Sequence, residues 1–218
     1  MRKLPDCALI RESDTASSTS FLVSFPTPIF VEYNITYMFN PGALLQTVDS
    51  WIQFLYEYNE EQLTIQVDEG SWSIGQLYNH LISDSYFYIM QANHARLEEN
   101  KTRQATAEAT EMFKNNAFPA TRIKGHPSNA SIPQPGNKDE LKQGLIQLQD
   151  EICELILKVN EQVAHGKSEH PGLGYLSTGE WIQLMDMHFR HHLDQKRRID
   201  EFLQSKKGMP VAPFKSRT

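Results

Sequence analysis

Three histidines, His80, His188 and His192, are the residues of this chain best placed to do chemistry. His188 and His192 are four apart in a stretch with helical periodicity, so their side chains share one face, one turn apart. Both are in register with Trp181, Leu184, Ile199 and Phe202, an apolar series that has to face a core. His80 lies between Leu77 and Leu81 on the inner face of a second helical stretch. Burying an imidazole without a partner costs about 1–3 kcal/mol. Three such groups would consume a large part of a typical stability of ~5–15 kcal/mol, so a shared partner is called for. Neutral imidazole binds Zn, Ni, Cu and Fe well. Three protein ligands leave a coordination position for water or substrate, as catalytic sites do.

The rest of the polar inventory is less pointed. An HxxxH pair alone is more often packing or surface than ligation; the inward His80 on a separate helix is what strengthens it. His191 lies about 100° around the helix from His192, facing a helix boundary or solvent, or standing in as a ligand. His94, His126, His165 and His170 are read as surface or loop residues. Gln76 and Asp84, four residues either side of His80, and Gln195 near His192 are candidates to accept a hydrogen bond from an outward ring nitrogen. The plainer reading is that all three are polar residues on helix surfaces.

The elements that must position the histidines can be read from apolar periodicity. A first helix opens at Asn40, with Pro41 in the first turn, and carries Leu44, Val48, Trp51, Ile52 and Leu55 on one face before fading near Asn59. A second begins at the N-cap Ser73 and runs to about Glu99. Residues 101–136 hold four prolines and form a long connection, of the kind that is either functional or a crossover. A third helix spans about 137–164 with a near-heptad stripe from Leu141 to Val163. Residues 165–176 read as a loop. A fourth helix starts at the capping box Ser177-Thr178-Gly179-Glu180 and continues to about Gln204. No strand alternation is evident across 40–205. The expected fold is all-α, a four-helix bundle with a long crossover between helices two and three. Residues 1–37 read as a poorly ordered extension, with Met38 as a possible true start, 38–205 as the bundle and 206–218 as a tail.

Composition narrows the class. Hydrophobic residues make up 39% and charged residues 22%, as in ordinary globular domains, and the formal net charge of -6 argues against gripping nucleic acid. No apolar run reaches the ~18 residues of a membrane helix. Two cysteines without a CxxC pair make no disulfide framework, which fits a reducing cytoplasm.

The stretch Trp72-Ser73-Ile74-Gly75-Gln76-Leu77-Tyr78-Asn79-His80-Leu81 resembles the helix-two signature of the DinB-like superfamily of metal-associated proteins. Residues 170–181, followed by His188-Phe189-Arg190-His191-His192-Leu193-Asp194-Gln195, resemble its helix-four signature. The resemblance covers about 40–205. It implies a four-helix bundle with a long crossover and a metal triad that maps onto His80, His188 and His192. It also implies S-transferases and isomerases that use low-molecular-weight thiols such as bacillithiol or mycothiol. On that basis the expected cofactor is a divalent transition metal (zinc, nickel or iron). The expected activity is thiol transfer in detoxification, on a small-molecule substrate, in a cytoplasmic protein that forms a homodimer. Two other readings compete: a non-catalytic, metal-stabilised bundle acting through dimerisation or partner binding, and a metal-dependent hydrolase. Asp84 and Glu180 are candidate bases, although Glu180 is better explained by capping.

Overall fold

The computed structural model describes residues 41–100, 102–119, 131–161 and 166–206. Their chain order is α1 (Pro41–Leu55), a 3-10 turn (Gln62–Thr64), α2 (Ile74–Leu97), α3 (Ala107–Asn115), α4 (Lys138–Glu161), β1 (Lys167–His170), β2 (Gly174–Ser177), α5 (Thr178–His191) and α6 (Leu193–Ser205). The protein is mostly helical, with a small two-stranded antiparallel sheet. No described helix is long and apolar enough to cross a membrane. Asn40, residues 1–37 and Met38 lie outside the described residues, as does the tail beyond Lys206.

Local chemistry sets the helix starts. Ser73 caps α2: its hydroxyl accepts from the Gln76 N–H at 3.1 Å, while the Gln76 side chain accepts from the Ser73 N–H at 3.1 Å. Ser177 and Glu180 close the same box at the start of α5. Asn137 Oδ1 accepts from the Glu140 N–H at 2.8 Å ahead of α4.

The apolar faces read from the sequence meet in one core. Leu44, Leu45, Val48 and Trp51 of α1, Leu77 and Leu81 of α2, Leu145 and Leu148 of α4, and Trp181 and Leu184 of α5 are all buried. Both α1 and α2 pack against both α4 and α5. Cys153 on α4 is disulfide-bonded, which corrects the expectation drawn from two cysteines without a framework.

Two expectations need correction, and the long connection, in which the prolines argue against a continuous helix only across the second half, holds one in its first. The loop expected over 165–176 holds a hairpin, in which Lys167 pairs with Ser177 and His170 with Gly174. Four-residue strands are too short to show alternation, and the turn residues Pro171, Gly172 and Gly174 dominated the reading. Gly174 has φ +79, and a Cβ there would lie 2.9 Å from the Gln104 carbonyl. The hairpin edge captures the incoming chain at that point: Tyr175 N–H donates to Gln104 O at 3.1 Å and Thr106 N–H to Leu173 O at 2.9 Å. The long connection holds a helix, α3, capped by Thr106 and ended by Asn116 in the left-handed region at φ 49. The fourth helix is not continuous; it breaks at His192 into α5 and α6.

Side-chain bonds from α5 to α1 and α2 fix its position. Thr178 Oγ1 donates to Ala92 O at 3.1 Å, and Trp181 Nε1 donates to Ser168 Oγ, which in turn donates to Gln91 O. Ten residues later His188 meets His80, so α5 runs antiparallel to α2. Thr47 Oγ1 of α1 donates to the buried Asp186 at 2.7 Å, and Arg190 Nε donates to its other oxygen at 2.7 Å. These bonds set both the height and the rotation of α5, and with them the direction of His188.

Candidate metal centre

His80, His188 and His192 come together. His188 Nε2 lies 3.0 Å from His80 Nε2 and 3.1 Å from His192 Nε2. All three rings are buried, with 3%, 7% and 8% of their surface exposed. His80 comes from α2, His188 from the last turn of α5, and His192 from the break between α5 and α6. Inside an unbroken helix His192 would still share a face with His188. At the junction its φ of -79 and ψ of -5 stay near helical values, so the four-residue spacing survives the break.

Hydrogen bonding within the protein does not account for this cluster. A neutral imidazole has one ring lone pair and one N–H. His188 Nε2 faces two other Nε2 atoms, and a single nitrogen cannot serve both. A cation bonded to all three would. At a zinc–imidazole bond of about 2.0–2.1 Å, two ligands of a tetrahedral site sit roughly 3.3 Å apart, close to the observed spacing. The residues present therefore fit a divalent transition metal, as the donor set of a ligand triad would.

Burial suits the histidines to that role. It holds the His80 imidazole down to about 4. It pushes His188 well below its usual value, helped by the neighbouring His192 and His80. His192 is lowered to about 3 by burial and then by His80, against a raising contribution from its bond to Gln195. All three are thus neutral near pH 7, the form that ligates. His192 Nδ1 sits 2.9 Å from Gln195 Oε1; as donor there, it keeps the Nε2 lone pair pointing inward.

Of the other expected helpers, Asp84 flanks the triad, with Oδ1 3.6 Å from His80 Nδ1 and Oδ2 3.9 Å from His188 Nε2. Its side chain is about one-third exposed, at 34%. Gln76 does not reach His80; it is spent on the helix cap and on the Ile132 carbonyl at 2.7 Å. Glu180 is likewise spent on its cap. His191 is exposed and packs on Phe118 at 5.1 Å between ring centres, so it stands outside the triad. His94 is exposed, His170 packs on Trp181, and His126 and His165 lie outside the described residues.

Sequence reasoning missed the walls of the site. Trp72 packs on His80 at 4.7 Å and lies 6.2 Å from His192. Tyr88 meets His188 at 5.6 Å. The position of Trp72 directly before the Ser73 cap was a usable signal, since that residue folds back onto the first turns of its helix.

A mostly helical protein with a buried histidine triad is the class that fold and site define. The family model described as the DinB superfamily matches residues 43–195, more than half of the chain, and the chain belongs to that superfamily. Neither the curated proteins nor the solved structures give a match.

Proposed function

We propose that this protein is a metal-dependent S-transferase that joins a low-molecular-weight thiol to a small electrophile at His80, His188 and His192. In this reading α1, α2, α4 and the broken α5–α6 segment are the rods of a four-helix bundle, with α3 on the crossover. The observation that carries the proposal is the convergence of three buried Nε2 atoms beside one partly exposed carboxylate, Asp84. A divalent ion held there would supply a Lewis acid that favours thiolate over thiol at neutral pH. The chain's own residues do the rest. The imidazoles stay neutral because they are buried, Gln195 fixes the His192 tautomer, and Trp72 and Tyr88 keep water from two sides of the triad. Asp84 offers an oxygen that can accept a hydrogen bond from an entering thiol.

A second reading is a metal-stabilised scaffold without turnover, and the low exposure of the triad favours it. Incubating metal-loaded protein with a panel of small thiols and 1-chloro-2,4-dinitrobenzene separates the two. The transferase reading expects product with at least one thiol and none from His188→Ala. Retained metal with no product from any thiol would leave the scaffold reading.

A further inference from the structure

We infer that Asp84 is a positioning residue for the triad: its Oδ1 accepts the Nδ1–H of His80 and so keeps the His80 Nε2 lone pair directed at the metal. The inference rests on the metal triad of the reading above and needs none of its thiol chemistry. A neutral imidazole has one ring lone pair and one N–H. The Nε2 atoms of His80, His188 and His192 are the ones that converge, so each ligating ring carries its proton on Nδ1. The structure treats those three outward donors differently. His192 Nδ1 has Gln195 Oε1 at 2.9 Å. His80 Nδ1 and His188 Nδ1 are buried without a hydrogen-bond partner. Beside His80 an acceptor stands ready, with Asp84 Oδ1 3.6 Å from its Nδ1. An N–H bond to a carboxylate runs at about 2.7–2.9 Å, so a shift of under about 1 Å makes it.

Helix α2 builds this pair into one face. His80 and Asp84 are four residues apart, so their side chains are neighbours one turn apart. The carboxylate is the member that moves. The Asp84 side chain is 34% exposed, whereas the His80 ring is 4% exposed and packed against Trp72 at 4.7 Å. Gln76, the other polar residue at helical spacing from His80, is engaged by the cap and by the Ile132 carbonyl. Among the described residues no other carboxylate pairs with a triad ring. The bond occupies Oδ1; Oδ2 is the oxygen that faces His188 Nε2, at 3.9 Å. A carboxylate behind a ligating imidazole fixes its tautomer and strengthens it as a donor, and losing such a partner costs about 10–100-fold in metal affinity.

The test uses the full chain loaded with zinc. Competition with a chromogenic chelator gives the zinc Kd, and long-range proton–nitrogen NMR on labelled protein reads the tautomer of each ring. Wild type should show a downfield, slowly exchanging Nδ1–H on His80. Asp84→Ala should raise the zinc Kd about 10–100-fold and lose that resonance to exchange, while the His192 resonance, held by Gln195, stays. Asp84→Asn keeps an acceptor oxygen and should fall between the two. A zinc Kd changed less than about twofold in Asp84→Ala overturns the inference. So does a weaker Kd with the His80 resonance unmoved, because Asp84 then acts by charge alone. The readings fail separately. Zinc uptake with an unmoved His80 removes the role of Asp84 and leaves the triad, whereas no uptake by wild type removes both.

Discussion

Lys196 is a cation buried to 3% exposure one helical turn beyond His192, and replacing it tests what anchors α6 against α1. Its ammonium lies 2.8 Å from Asp200 and 3.7 Å from Glu57, and 4.4 Å from the centre of the Phe54 ring. Tyr58 donates to the other oxygen of Asp200 at 2.5 Å. At an effective dielectric near 20, the closest pair alone attracts by about 6 kcal/mol. Desolvation of both ions offsets much of that, so the net worth of the pair is small. Removing one partner differs, because it strands the other: Lys196→Met leaves Asp200 buried and unbalanced, at a cost of about 3–5 kcal/mol. Urea unfolding followed by circular dichroism should show that loss, mostly as a lower midpoint. The double variant Lys196→Met, Asp200→Asn should recover much of it. The backbone N–H of Lys196 donates to the His192 carbonyl at 2.9 Å, a bond that methionine keeps, so the single variant should lose stability while its folded form still binds metal. A cost below about 1 kcal/mol for Lys196→Met, or a double variant no better than the single one, would refute the reasoning.

Two further outcomes follow from the same geometry. The folded pKa values of the triad lie below the unfolded value near 6.5, so between those limits the unfolded metal-free chain binds more protons and acid destabilises the fold. Chelator-stripped protein should lose stability as pH falls from about 6.5 to 4, by roughly 3 kcal/mol for His80 alone. Denaturant titrations across that range would contradict this if the midpoint stayed flat. Gly75, five residues before His80, has no room for a methyl group: a Cβ would lie 2.6 Å from both the Leu63 carbonyl and Pro135. Gly75→Ala should cost about 1–3 kcal/mol, a drop of several degrees in Tm, and an unchanged melting curve would show that the turn moves freely.

Much of this architecture was legible because long helices repeat their signal. The inner faces around Trp51, Leu77, Leu148 and Trp181 each recur over several turns, and Ser73 and Ser177 mark their helix starts in the local sequence. The triad was legible for the same reason, since His80, His188 and His192 occupy positions of those stripes. What escaped depends on neighbours distant in sequence. The hairpin at 167–177 has four-residue strands and is secured by Ser168 bonding to Gln91 and Trp181. Helix α3 is tied down by Asn116, which accepts from Gln183 and Arg190. The break at His192 leaves the 3.6-residue spacing intact, so periodicity does not register it. Gln76 misled because a glutamine at the third helical position can cap its helix or reach sideways, and spacing does not separate the two uses.

The measurement that bears most directly on the triad is X-ray absorption at the metal edge of untagged protein reconstituted with zinc, nickel or iron. One ion per chain is expected, with three imidazole nitrogens at about 2.0–2.1 Å for zinc and two in His188→Ala. No stoichiometric uptake of any of the three metals, or a wild-type spectrum fitted by fewer than two imidazoles, would contradict the account.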